Sequence, residues 1–155
     1  MKRVRLEVEG VALDWKGSPV VKLRERDGRR AIFIWVGIAE ATAISMQLEG
    51  QQPPRPLTHD LIVLILGQLG AQVEQVVISD VRDNTYYAHL HLRDGDRSSA
   101  IDCRPSDAIA VALRAQAPIY IAHDLLQRLD AEQRDNEAQL SPGSTIVDSG
   151  ETTVH

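Results

Sequence analysis

Only one cysteine, Cys103, occurs among the 155 residues. No internal disulfide can form, and no paired-thiol spacing for a zinc ribbon or a redox couple exists, so a reducing cytoplasm is the expected location. Nowhere do eighteen apolar residues follow one another, and the charged start Met1-Lys2-Arg3-Val4-Arg5-Leu6-Glu7 leads into no uninterrupted apolar run. Neither a membrane span nor a signal peptide is expected. Positive charge is short as well: 17 Lys and Arg against 22 Asp and Glu give a formal net charge of -5. A surface basic all over, as a non-specific DNA coat would carry, is thereby disfavoured. A local arginine-lined groove stays compatible, because the basic residues are nearly all Arg.

What is present suits one soluble domain. A hydrophobic content of 43% over this length is enough for a core without staples. Alternation through Val4, Leu6 and Val8 predicts a strand over 3–14, followed by strands over 20–24 and 31–36 with a turn at Asp27-Gly28. Ala39, Ala43, Met46 and Leu48 switch to helical spacing, with Glu40 in the first turn and Gly50 as the terminating glycine. A proline-rich connection over 51–56 leads to a second helix, capped by Thr58 and ended by Gly70. Its residues Leu61, Ile62, Leu64, Ile65 and Leu69 are apolar enough to predict a largely buried helix.

Strands over 73–81 and 86–92 are joined by a turn at Asp83-Asn84, and Asp94-Gly95-Asp96 closes a further hairpin onto 99–103. A third helix over 107–115, a short strand over 118–121 and a helical piece over 124–129 complete the folded part. From Asp130 onward the tail carries too few apolar residues to offset ordering, and mobility is expected there. Strands outnumber helices without strict alternation. The expected class is α+β: a mixed, largely antiparallel sheet packed with three to four helices in a single domain over 1–129, with a polar tail over 130–155.

Two corners share one grammar. Ile101-Asp102-Cys103-Arg104-Pro105-Ser106-Asp107-Ala108-Ile109 reads as a strand stopped by proline with Ser106 capping the helix behind it. Arg55-Pro56-Leu57-Thr58-His59-Asp60-Leu61 repeats Arg-Pro, hydroxyl, acid and apolar helix. Each polar group has a plain role beside any chemical one. Ser106 and Thr58 read as caps, Asp107 and Asp60 favour the positive ends of their helices, and Arg104 and Arg55 can tie strand to helix by pairing with those acids. His89 and His91 lie two apart on one strand face, without a visible third ligand. Cys103 reads as a small buried hydrophobe, and Trp35, Tyr86, Tyr87 and Tyr120 as core or interface packing.

These two corners, with Asp83-Asn84-Thr85-Tyr86-Tyr87-Ala88 and the stretch over 33–49, resemble the bifunctional nuclease domain family. The motifs match in order over roughly the first four fifths of the chain, which is more specific than a single short pattern. The resemblance implies a small α+β domain that forms homo-oligomers and acts on nucleic acid, both RNA and DNA; the lack of long apolar runs adds the expectation of no membrane partner. Site roles follow from chemistry. In a metal route, Glu40, Asp60, Asp102 and Asp107, with or without His59, hold Mg2+ or Mn2+; in a metal-free route, His59 is acid or base while Arg55 and Arg104 clamp the phosphate, and the catalytic candidates are His59, Asp60 and Asp107. The paired acids favour the metal route. The alternatives are a non-catalytic oligomeric binding or assembly module and a small-anion sensor at the helix starts.

Overall fold

Seven strands form one open sheet in the order β3-β2-β1-β7-β4-β5-β6 in the computed structural model, which describes residues 2–134. In chain order the elements are β1 Arg3–Leu13, β2 Pro19–Glu25, β3 Ala31–Trp35, α1 Ile38–Leu48, α2 Thr58–Gln68, β4 Gln72–Arg82, β5 Thr85–Asp94, β6 Arg97–Cys103, α3 Pro105–Ala115, β7 Ile119–Ala122 and α4 His123–Gln133. Two three-stranded antiparallel meanders flank β7. The pairing of β4 with β7 is parallel, and every other ladder is antiparallel. The expected α+β class with a mixed sheet, four helices and one domain is the observed one. No helix among the described residues is long and apolar enough to cross a membrane.

Local chemistry explains where the chain turns. Asp83 and Asn84 both adopt positive φ, 49° and 61°, the backbone of a tight two-residue hairpin whose twist matches its strands. Gly50 and Gly70 follow α1 and α2 with φ of 67° and 75°, a conformation that costs a side chain dearly. One continuous core joins Leu23 and Ile32 of the first meander to Ile78 of the second, Ile121 of β7, Ile44 of α1, Ile109 of α3 and Leu126 of α4. Each meander runs straight into a helix, β3 into α1 and β6 into α3, so the start of α3 corresponds to that of α1 rather than to the second Arg-Pro corner.

Two expectations change here. The second helix is not largely buried: Leu61, Leu64, Ile65 and Leu69 are 51%, 52%, 48% and 71% exposed, and only Ile62, Val63 and Leu66 pack against the core. The helix is apolar nearly all round, but it lies at the margin against α3, where one stripe finds a partner and the rest does not. The last helix runs to Gln133 rather than stopping at Leu129. Its added turn is anchored by polar groups: Asp130 accepts a hydrogen bond from the Ala31 N–H at 3.2 Å, while Gln133 accepts from the Phe33 N–H at 2.8 Å and donates to the Phe33 carbonyl at 3.1 Å. Counting apolar residues could not register those bonds. The rest of the expected tail, residues 135–155, lies outside the described residues.

Candidate functional site

Three helices begin within reach of one another, each with an acid at its third position. The N-caps are Gly37, Leu57 and Arg104, all extended and none capped by a side-chain oxygen of its own; the acids are Glu40, Asp60 and Asp107. Thr58 and Ser106 are therefore not the caps. Pro105 takes the first helical position, where its missing N–H and fixed φ cost nothing, and this moves the cap back to Arg104. At α2 the acid substitutes: the Leu57 N–H donates to Asp60 Oδ2 at 2.8 Å, the reciprocal half of a capping box.

The corners come together through α3. His59 Nε2 lies 2.9 Å from Asp107 Oδ1, Arg104 Nε donates to Asp107 Oδ2 at 2.8 Å, and the Arg104 Nη2 reaches Glu40 Oε1 at 2.7 Å. The result is a relay, Glu40 to Arg104 to Asp107 to His59, drawn from three helices and graded in exposure. Arg104 is open to solvent at 64% side-chain exposure and Asp107 is partly open, whereas Glu40 and His59 are closed in. Burial alone would raise the Asp107 carboxyl, but the His59 hydrogen bond and the Arg104 guanidinium outweigh it and hold the group below the usual carboxylate range. Against an ionised carboxylate, His59 Nε2 carries the proton and donates.

Asp60 belongs to a second knot. Arg114 Nε donates to Asp60 Oδ1 at 2.7 Å, and the same guanidinium donates to the Ala110 carbonyl at 2.9 Å and the Ala43 carbonyl at 3.0 Å. The Leu57 N–H and then, against burial, Arg114 hold the Asp60 carboxyl low. With 6% side-chain exposure Arg114 is a buried tie between α1, α2 and α3. Sequence reasoning missed it, although its place seven residues after Asp107, on the same face of α3, was a usable signal.

The remaining candidates stand apart. Arg55 is exposed and makes no hydrogen bond or ion pair among the described residues. Asp102 sits exposed on edge strand β6, opposite His89 in the ladder. His89 and His91 have ring centroids 6.5 Å apart. Burial, aided by the Asp102 and Asp107 charges, pushes the Cys103 thiol up to about 11, which leaves little of the thiolate form near neutral pH. No three His, Cys, Asp or Glu side chains among the described residues gather to hold a metal by themselves.

Beside the relay opens a pocket of about 470 Å³, lined among others by Trp35, Gly37, Asn84, Tyr86, Arg104 and Ser106. Trp35 does not enter the core; it is 39% exposed at the end of β3. Its Nε1–H donates to Asp14 Oδ2 at 2.9 Å, which fixes the indole.

Comparison with known proteins adds the context. The family model described as Bifunctional nuclease domain matches residues 21–134. An uncharacterized protein of Mycobacterium tuberculosis is 41% identical over 126 residues, which cover 79% of this chain and 75% of that one. Bifunctional nuclease 2 of Arabidopsis thaliana is 30% identical over 100 residues, 59% of this chain and 30% of the plant protein. Bifunctional nuclease 2 of Oryza sativa is 28% identical over 112 residues, 70% of this chain and 34% of its own length. The chain thus spans about a third of these plant relatives.

Proposed function

The chain belongs to the bifunctional nuclease domain family, and on that premise we propose that it hydrolyses phosphodiester bonds of RNA and DNA, with little sequence preference, at the Glu40–Arg104–Asp107–His59 relay. The observation that carries this reading is the exposed Arg104 guanidinium at the open end of a carboxylate–imidazole pair. A phosphate offers the same fork of oxygens that Asp107 and Glu40 now supply. When a substrate phosphate draws the guanidinium away, Asp107 Oδ2 loses one of the partners that hold its proton affinity down, and becomes a better base. His59 keeps the other carboxylate oxygen in place. A water bound there gives its proton to Asp107 as its oxygen attacks phosphorus; the P–O ester bond opposite breaks, and the leaving oxygen takes a proton from solvent. Arg104 stabilises the charge that builds on the phosphate oxygens.

Mg2+ and Mn2+ commonly take one or two carboxylates and complete their shell with substrate phosphate and water, so Glu40 and Asp107 are the residues that would hold such an ion, which would add charge stabilisation at the phosphate. None of the steps above depends on it. The rival reading is a non-catalytic assembly module, favoured by the near-complete burial of His59, 8% exposed, and by the pairing of Glu40, Asp60 and Asp107 with arginines.

Purified protein is incubated with labelled RNA and DNA under Mg2+, Mn2+ and EDTA, beside Asp107→Asn and Arg104→Met variants whose melting curves confirm folding. A loss of cleavage of about a hundredfold or more in both variants supports the relay. Equal cleavage by variants and wild type places the activity elsewhere, and a pure wild-type protein that cleaves nothing supports the assembly module.

The reading includes a homo-oligomer in the cytoplasm. Leu57, Leu61, Leu64, Ile65 and Leu69 form an exposed apolar stripe along α2 at helical spacing, a surface suited to a second copy. Leu61→Glu with Leu64→Glu should shift the sedimentation mass to that of the 17.2 kDa monomer; an unchanged mass rejects α2 as the interface. Cys103, the chain's one cysteine, is a free thiol, which suits a reducing compartment.

A further inference from the structure

The pocket beside Arg104 contains more than phosphate chemistry requires. Three features meet there. Trp35 presents an indole plate whose position is set by Asp14, and Asp14 is itself set by its own turn: Oδ1 accepts the N–H groups of Lys16 and Ser18, each at 2.9 Å. The Trp35 hydrogen bond, with those of the turn, holds the Asp14 carboxyl below its ordinary range, so the acceptor stays ionised and the plate stays pinned near neutral pH. Tyr86 lines the same space, with its hydroxyl held by Gln133 Nε2 at 2.6 Å. Arg104 belongs to both the pocket lining and the relay. Trp35, its indole pinned to Asp14, thus lines one pocket with Arg104, whose guanidinium our reading assigns to the phosphate.

We propose that this pocket is a nucleobase subsite, in which a base of single-stranded nucleic acid stacks on Trp35 while an adjoining phosphate lies on Arg104. The inference rests on the nuclease reading of Arg104 and adds its substrate class. A volume of about 470 Å³ lies within the ordinary range of roughly 300–1,000 Å³ for small-ligand pockets. Asn84, with its positive φ, holds the tight hairpin that forms one side of the pocket. Stacking reads the face that all bases share, so it accepts any sequence. It also demands an unstacked base, which a single strand supplies readily and a duplex does not.

The test uses the Trp15→Phe protein, in which Trp35 is the one remaining tryptophan of the chain's two. The probes are a thymidine hexamer and an abasic hexamer of equal length and charge, in EDTA, with both checked intact by gel afterwards. The expected result is quenching of Trp35 fluorescence by the thymidine hexamer alone, with binding about tenfold tighter than the abasic chain. Trp35→Leu, read by anisotropy, should remove that difference and leave the abasic affinity unchanged; Trp35→Phe should retain most of it. Equal binding of the two hexamers, or a base preference that survives Trp35→Leu, overturns the subsite while the phosphate role of Arg104 stands. If neither hexamer binds, the subsite and the nuclease reading fall together. The quenching measurement needs no change at position 35, so it decides even if the leucine variant folds poorly.

Discussion

Helices α2 and α3 are of equal length and open on the same Arg-Pro grammar, yet they meet opposite fates. In α3 Ala108, Ile109, Ala110, Val111 and Ala112 are all buried; in α2, a far more hydrophobic segment, His59 alone is. Small side chains let α3 sit between α1, α2 and the sheet at close range, whereas the leucines of α2 need more surface than one neighbour offers. Hydrophobicity says what a segment would gain from burial, and neighbours decide whether it is buried. The polar residues differ likewise. Arg104 and Asp107 are bound into the relay, while Arg55 stands free of any bond among the described residues and Asp60 is held by an arginine from α3.

The contrast can be broken by mutation. The largest effect is expected at the centre: Ile109→Ala should cost about 2–5 kcal/mol in urea unfolding by leaving a cavity, against within about 0.5 kcal/mol for Leu61→Ala on the open side of α2, measured below the concentration of any association. Next comes Arg114→Ala, which leaves the Asp60 carboxylate with the Leu57 N–H as its remaining partner and removes the tie to two helix carbonyls. Breaking a fully buried pair costs about 3–5 kcal/mol, and partial exposure of Asp60 lowers the expectation to about 2–3 kcal/mol.

Acid should act on both corners. Asp60 and Asp107 have carboxyls held below their ordinary value, so their contribution is present above the unfolded value of about 4 and is lost as pH falls through the folded values. The urea midpoint should therefore drop below about pH 4, and it should drop less in Asp107→Asn, the two curves converging in strong acid. Parallel curves would mean that Asp107 takes no part. The smallest effects separate the two arginines: Arg104→Ala should cost about 1 kcal/mol or less because the side chain is largely exposed, and Arg55→Ala nothing measurable by the same titration.

Much of the fold was legible because its signals are local. Asp83-Asn84 needs only two residues to announce a tight hairpin, and Gly50 and Gly70 needed only their place after apolar helices. The site was legible in part. His59 of one corner meets Arg104 and Asp107 of the other, and Glu40 of α1 joins them, but Arg55 and Asp102 stay outside, because sharing a motif does not set where its side chains reach. Arg114 was missed since its partners, Asp60 and the Ala43 carbonyl, lie far away in the chain. The caps were misplaced by one or two residues because Pro105 at α3 and the Asp60 carboxylate at α2 satisfy the helix starts by other means.

The last turn of α4 has a consequence for how this molecule behaves in a crowd. Asp130 and Gln133 lay amide and carboxylate groups along β3 where another strand would bond, so a helix fills the place of an eighth strand. That border of the sheet is closed to runaway pairing with other chains. A protein cut back to Leu129 would keep nearly all of its oily interior but regain a sticky margin. It should precipitate on standing well before it loses its secondary structure, so its shelf life rather than its melting point would register those two polar side chains.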